Sequence, residues 1–371
     1  MRLLILSLLL FVSIFAMAQS SYLFIGTYTS GASKGVYVYR FDPKTGKAEW
    51  LSTTEGIVNP SYLEIAPNRK CIYSVAETGK ENPGSVSAFS FDRLSGKLSF
   101  LNKQLSGGDN PCYVTVHENN KWVVVANYSG GSLSAFPINP DGSLKPFRQL
   151  VQHEGKSINP ARQERAHVHA TVFSPDYKYL FTPDLGMDKI FSYSFNSSVQ
   201  KPLKPAPKPF TLSEGGSGPR HLTFHPNNKF GYLIEEMAGT VIAYKYDKGR
   251  LIFIQKIAAH PANYIGELGS ADIHTSPDGK FLYVSNRGNE NTITIFAIDR
   301  FTGKLSLKGY QPTLGKKPRN FTIDPSGKYL LVANQDSDNI VIFKIDQTSG
   351  LLLETGEQIS IPNPVCLKMM K

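Results

Sequence analysis

The sequence predicts an all-β fold: a seven-bladed β-propeller of four-stranded antiparallel blades, its ring closed by a C-terminal strand that completes the N-terminal blade. Three observations carry this. A unit of three short strand-like runs recurs roughly every 50 residues, a period typical of propellers and solenoids. The runs are β-branched and aromatic, and Pro, Asn, Asp and Gly turns separate them. The two ends of the chain hold complementary fragments of one further unit.

In chain order, Met1 and Arg2, an apolar run over 3–15 and the small-x-small Ala16-Met17-Ala18 have the three parts of a secretory signal. Cleavage after Ala18 is expected, giving an exported chain, periplasmic or secreted. The run falls short of the roughly 20 residues of a spanning helix, so no membrane association is expected after cleavage. Residues 19–371 are then read as a single propeller domain.

Residues 21–26, 35–41 and 48–53 read as the second, third and fourth strands of a unit that lacks its first. The stretch Pro362-Asn363-Pro364-Val365-Cys366-Leu367-Lys368-Met369 matches Asn59-Pro60-Ser61-Tyr62-Leu63-Glu64-Ile65 and supplies it, which leaves no open sheet edge. Six full units lie between, led by Asn59-Pro60, Asn110-Pro111, His167-Val168-His169, Gly218-Pro219-Arg220, Ser270-Ala271-Asp272 and Lys317-Pro318-Arg319. A fourth strand is expected after the Gly turns at Gly96, Gly142, Gly249 and Gly303. Two segments depart from the repeat. The Pro-rich stretch 201–209 reads as an extended outer loop. Residues 152–166 form a connection longer than most, either shaping a site or tolerated as an insertion.

The formal net charge of +10 bears on partners, and much of the lysine sits in hairpin turns, as at Lys47, Lys97 and Lys304. No basic run carries interleaved aromatics, so nucleic acid is not an expected partner, whereas an anionic small molecule is compatible. The cysteines, Cys71, Cys112 and Cys366, are odd in number and each falls in a strand; buried free thiols are expected rather than a disulfide or metal site. His167 and His169 are read as facing opposite sides of a strand, and no metal or cofactor is expected. His153, His221, His225 and His274 are assigned to turns and packing. Neither a Gly-x-Ser-x-Gly elbow nor a phosphate-cradling Gly-rich loop occurs, and a monomer is the default.

Aligning the units on their x-Pro turns places Ser61, Cys112, His169, Arg220, Ala271, Arg319 and Val365 at one position, opening the innermost strand. Glu77, Tyr128, Leu185, Glu236, Arg287 and Gln335 fall just past the end of the next strand. Antiparallel neighbours bring the start of one beside the end of the other. His169, Arg220, Arg319, Glu236 and Arg287 should therefore gather at one mouth of the central channel. Such charges either pair to hold blades together or serve a site, since buried charge is costly unless compensated or used. Asn127, Asp184, Asn286 and Asn334, one residue earlier, suit the turn that follows a strand.

Several motifs are similar to those of the lactonase family of seven-bladed propellers, which includes 6-phosphogluconolactonases and carboxy-cis,cis-muconate cycloisomerases. They are Gly26-Thr27-Tyr28, the stretch from Ala126-Asn127-Tyr128 to Ser132, His167-Val168-His169, Gly218-Pro219-Arg220-His221-Leu222, Ser285-Asn286-Arg287-Gly288 and Pro318-Arg319-Asn320-Phe321. The resemblance covers essentially the whole mature chain. It implies an active site at the channel mouth built from the histidine of the His-x-His segment, Arg220, Glu236 and Arg287. Glu235-Glu236 stands where the family has Asn-Glu, which leaves open which carboxylate points inward.

Lactone hydrolysis needs a base to activate water, a cation for the oxyanion and a clamp for a polar ring. Glu236 or His169 fits the first role, and Arg287 or Arg220 the second. The remaining arginine, with Arg319, suits a carboxylate or phosphate. His167, Asn127, Tyr128 and Glu235 complete the expected substrate-binding set. The expected substrate is an anionic or polyhydroxylated lactone, 6-phosphogluconolactone or a related aldonolactone. The alternatives are a cycloisomerase or lyase acting on a muconate-type dicarboxylate and a non-catalytic ligand-binding propeller.

Overall fold

The computed structural model describes residues 20–371. The expected signal segment, 1–18, lies outside the described residues. Among the described residues, twenty-eight strands form seven four-stranded antiparallel sheets, each in simple sequential order but one. That one is blade 1, in which Pro364–Met370 is the innermost strand and pairs with Ser21–Thr27, followed by Gly35–Phe41 and Ala48–Glu55. The ring is closed by joining the two ends of the chain.

The innermost strands of blades 2 to 7 are Leu63–Ile65, Pro111–Val116, Val172–Phe173, Pro219–Phe224, Ser270–Thr275 and Pro318–Ile323. The next strands outward are buried along their whole length in blades 2, 3, 5, 6 and 7, as in Trp122–Asn127 and Phe230–Glu235. They read as continuous apolar runs because both faces pack against neighbouring blades, not one against a core and one against water. Clusters such as Phe230, Tyr232 and Ile234 against Leu282, Val284 and Phe296 fill these inter-blade spaces. The outermost strands, for example Lys97–Leu105, are largely exposed.

The x-Pro signature has a structural cause. Asn59, Asn110, Gly218, Lys317 and Asn363 take positive φ between 46° and 68°, a conformation that Asn and Gly adopt most readily. The pairing register then slips by one residue at the start of the inner strand, between Pro111 and Tyr113, Pro219 and His221, and Pro318 and Asn320. Cys112, Arg220 and Arg319 are the extra residues. Such bulges re-aim a side chain, and here they turn these residues toward the channel. A backbone hydrogen bond of 2.7 to 3.1 Å recurs in every blade beside them, from the amides of Tyr28, Glu77, Tyr128, Leu185, Glu236, Arg287 and Gln335 to the carbonyls of Asn363, Asn59, Asn110, His167, Gly218, Gly269 and Lys317.

Two expectations are corrected. The Pro-rich stretch is not a loop: Leu203–Leu212 is the outer strand of blade 4, with Pro205 opposite Tyr193. Proline is tolerated there because an edge strand needs no donor on its outer side. In blade 3 the fourth strand is Gln149–Gln152, while Leu144 after the Gly142 turn makes only an isolated bridge to Ile138.

Candidate active site

Glu235 and Glu236 follow one another at the end of an extended strand, so their side chains leave on opposite sides. Glu236 enters the channel mouth. Its Oε2 accepts from Arg220 Nε at 2.9 Å and lies 3.0 Å from Arg287 Nη2, while Oε1 accepts from Arg162 Nη2 at 2.6 Å. Burial alone would raise this carboxyl, but Arg287, Arg220 and Arg162 together hold it well below the usual carboxylate range. Glu235 instead lies between blades, bonded by Thr240, and burial raises its carboxyl. The inward carboxylate is therefore Glu236, and the expectation that Glu235 binds substrate is not supported.

The three arginines are held differently. Arg220, 1 % exposed, donates from Nη1 to the Ala271 carbonyl at 2.6 Å and to His221 Nε2 at 3.2 Å. Arg287 donates to the Gly269 and Ser270 carbonyls at 2.9 and 3.4 Å. Arg162, with 46 % of its side chain exposed, lies on the long connection after blade 3 and also reaches the Tyr128 hydroxyl at 3.4 Å. That connection is pinned by Gln163, which donates to the Leu185 carbonyl and to Asp188 at 2.9 and 2.7 Å.

His169 is buried beside this cage, with Cys112 Sγ 3.9 Å from Nδ1 and the Tyr128 ring edge-on at 5.3 Å. Burial and the charge of Arg220 hold its imidazole well below the usual value, so it is neutral near pH 7. His167 is not turned away from it: residues two apart share a face of an extended chain, and both rings meet Tyr128, His167 stacked on it at 4.5 Å. His167 Nδ1 donates to the Tyr128 carbonyl and Nε2 lies 3.2 Å from Glu164, so it anchors the loop that carries Arg162.

Asn127 departs from the expected substrate-binding set. Its side chain is wholly buried, and Nδ2 donates to the Ser106 carbonyl and the Ser132 and Ser134 hydroxyls; Asn286 and Asn334 repeat the arrangement with Ala259 and Thr313. Arg319 stands across the mouth, 3.9 Å from Glu77 and over the ring of Tyr28, whose hydroxyl donates to Glu77 at 3.1 Å. His221 and His274 are not packing residues of separate turns, since both bond the buried carboxylate of Asp272, at 2.8 and 2.9 Å. His153 and His225 do serve the scaffold, bonding Asp184 and the Gly279 carbonyl.

Arg162, Tyr28 and Glu77 line the mouth, and His221 and Asp272 lie behind Arg220; the sequence reading missed all five as site residues. For Glu77 and Tyr28 the signal was available, because repeat register places them level with Glu236. For Arg162 the only hint was the length of its loop.

Comparison with known proteins agrees with this architecture. The family model described as "Lactonase, 7-bladed beta-propeller" matches residues 22–369. A 6-phosphogluconolactonase of Formosa agariphila is 40% identical over 94% of this chain and 99% of its own length. Among solved structures, a candidate 6-phosphogluconolactonase from Bacteroides fragilis is 44% identical with a TM-score of 0.91, covering 95% of this chain and 98% of its own. The periplasmic gluconolactonase of Pseudomonas aeruginosa is 36% identical, also with a TM-score of 0.91, covering 95% and 99%. With its closed seven-blade ring and a family match along nearly its whole length, the chain belongs to the lactonase family of seven-bladed β-propellers.

Proposed function

We propose that this chain is a carboxylic ester hydrolase that opens a sugar lactone to the free acid at the channel mouth. The observation that carries this reading is the buried Glu236 carboxylate bridging Arg220, Arg287 and Arg162 beside a neutral His169. Both oxygens of Glu236 are engaged by guanidiniums, so its part is to orient cations rather than to take protons. His169 keeps a lone pair for a proton. Water attacks the lactone carbonyl carbon as His169 accepts its proton, and the tetrahedral oxyanion forms against Arg220 and Arg287. Collapse breaks the ring C–O bond, and His169 returns the proton to the departing alkoxide. Its depressed basicity hinders the first transfer and favours the second; such acid–base help is worth about 10² to 10⁴ in rate.

Arg319 suits the far end of the substrate. At the mouth, four guanidiniums (Arg162, Arg220, Arg287, Arg319) face two carboxylates (Glu236, Glu77), an excess of two positive charges that favours an anionic or electron-rich polyhydroxylated ring. The signal-like segment at 1–18 and the periplasmic gluconolactonase among the relatives support an exported enzyme working on extracytoplasmic aldonolactones; the closed ring, which leaves no open sheet edge to pair, is the ground for reading it as a monomer.

The test is hydrolysis of a panel of aldonolactones, phosphorylated and not, by protein beginning at Gln19, corrected for spontaneous opening. Saturable turnover is expected, with Arg287→Ala lowering kcat about 10² to 10³-fold as an oxyanion donor is lost. A flat panel from folded protein would remove the lactonase reading.

A further inference from the structure

Arg220 is buried at the centre of the cage, and its orientation is set from behind by groups that lie too deep to meet substrate. A guanidinium has only donors. The contact between Arg220 Nη1 and His221 Nε2, 3.2 Å, therefore requires a bare nitrogen at Nε2, and the ring proton must sit on Nδ1. There it is donated to Asp272 Oδ1 at 2.8 Å. Burial, then the Arg220 charge, push His221 down to about 4, so near pH 7 the ring is neutral, as an acceptor must be.

Asp272 is itself locked. Its Oδ2 accepts from His274 Nε2 at 2.9 Å, from the Asn320 side-chain amide and from the Phe321 backbone at 3.4 Å. Asn320 in turn accepts from the Leu367 amide at 2.6 Å. The carboxylate thus ties the inner strands of blades 5, 6, 7 and 1. A purely structural tie would not need the next link to end on a catalytic cation, but this one does. Arg220 spends Nε on Glu236 and Nη1 on Ala271 and His221, and among the described residues Nη2 has no protein acceptor. One edge of a fully buried guanidinium is left for a ligand.

We propose that Asp272 and His221 are positioning residues for Arg220: the carboxylate fixes the Nδ1–H tautomer of His221, whose bare Nε2 holds the guanidinium with its Nη2 edge toward the oxyanion. The role given to Arg220 rests on the lactonase reading; the tautomer does not. Protonation of His221 or its replacement by an apolar group would leave the guanidinium held only by Glu236 and the Ala271 carbonyl, with its Nη2 edge less firmly aimed.

Two measurements test this. Nitrogen NMR of the histidines in the wild-type protein near neutral pH should show His221 protonated at Nδ1 and bare at Nε2; the opposite tautomer would overturn the proposal whether or not the protein hydrolyses lactones. Kinetics then test the consequence. His221→Leu, folded by circular dichroism, should lower kcat about 10 to 10²-fold, less than loss of an oxyanion donor outright, with KM changed less than about threefold. His221→Gln, whose amide can accept from Arg220 and donate to Asp272, should recover most of that loss. Unchanged kcat in the Leu variant, or a loss confined to KM, would sink the positioning role. So would failure of Gln to rescue activity in folded protein. Wild-type protein inactive on every lactone, but with the expected tautomer, would count against the reaction and leave the orientation of Arg220 standing.

Discussion

The two sides of the channel mouth hold their arginines in different ways. On the side of blades 5 and 6, Arg220 and Arg287 meet Glu236 at 2.9 and 3.0 Å, and backbone carbonyls take further donors. On the side of blades 1, 2 and 7, Arg319 has only a 3.9 Å approach to Glu77 and the face of Tyr28, and among the described residues its guanidinium makes no hydrogen bond. A cation fixed by direct ion pairs is preorganised, so little reorganisation is needed when charge develops beside it. A cation with open donors is instead available to whatever enters. The contrast divides the mouth into a reacting side and a receiving side.

The strongest way to break this division is Glu236→Gln. It leaves three guanidiniums without their shared counter-charge, and kcat/KM is expected to fall at least about 10³-fold, because orientation of two oxyanion donors is lost together. The same change should lower stability by about 3 to 5 kcal/mol, the usual cost of breaking a buried pair. Steady-state kinetics and denaturant unfolding check both; full activity would mean that the cage is only a blade clamp.

Acid should find the reacting side first. His169 and His221 are both held below their ordinary value of 6.5, so the unfolded chain binds protons more readily than the folded one. Stability is then complete above about pH 6.5 and declines as pH falls toward about 4, where folded His221 titrates, at a cost of up to about 3 kcal/mol from that residue. Thermal melts from pH 7 to pH 4 measure it, and His221→Gln should flatten the decline.

On the receiving side the effect is smaller and of a different kind. Arg319→Met is expected to raise KM for a phosphorylated lactone about tenfold while changing kcat less than about threefold, since it removes ground-state binding. A comparable fall in kcat would place Arg319 with the reacting group. The smallest effect is expected for Glu235→Gln, next in sequence to the most sensitive position. Its carboxyl is raised by burial and faces Thr240, so the amide should keep kcat within about twofold and alter stability by less than about 1 kcal/mol.

Much of this contrast was legible in the residues. The repeat puts Arg220 and Arg319 at one recurring position and Glu236 and Arg287 at a second beside it, and a propeller converts equivalence along the chain into convergence around an axis. What failed to show were features outside the period. Pro205 and its neighbours look like loop residues because an edge strand hides its tolerance for proline until the pairing is known. Asn127 looked like a mouth residue because register gives a height along the channel but not whether a short amide turns inward or back into its own blade.

By itself, then, the sequence determined the blade count, the closure of the ring by Pro364–Met370 against Ser21–Thr27, and the gathering of Arg220, Arg319, Arg287 and Glu236 at one mouth of the channel. These follow from local turn chemistry and a fixed repeat, both written in short stretches of chain. Only the tertiary structure decided that Arg162, from an irregular loop, completes the Glu236 cage, and that Asp272, His221 and Arg220 form one line of hydrogen bonds. The physical reason is directional. Hydrogen bonds and ion pairs depend on angles and on distances of a few tenths of an ångström, and residues from different blades acquire those only when the ring has closed.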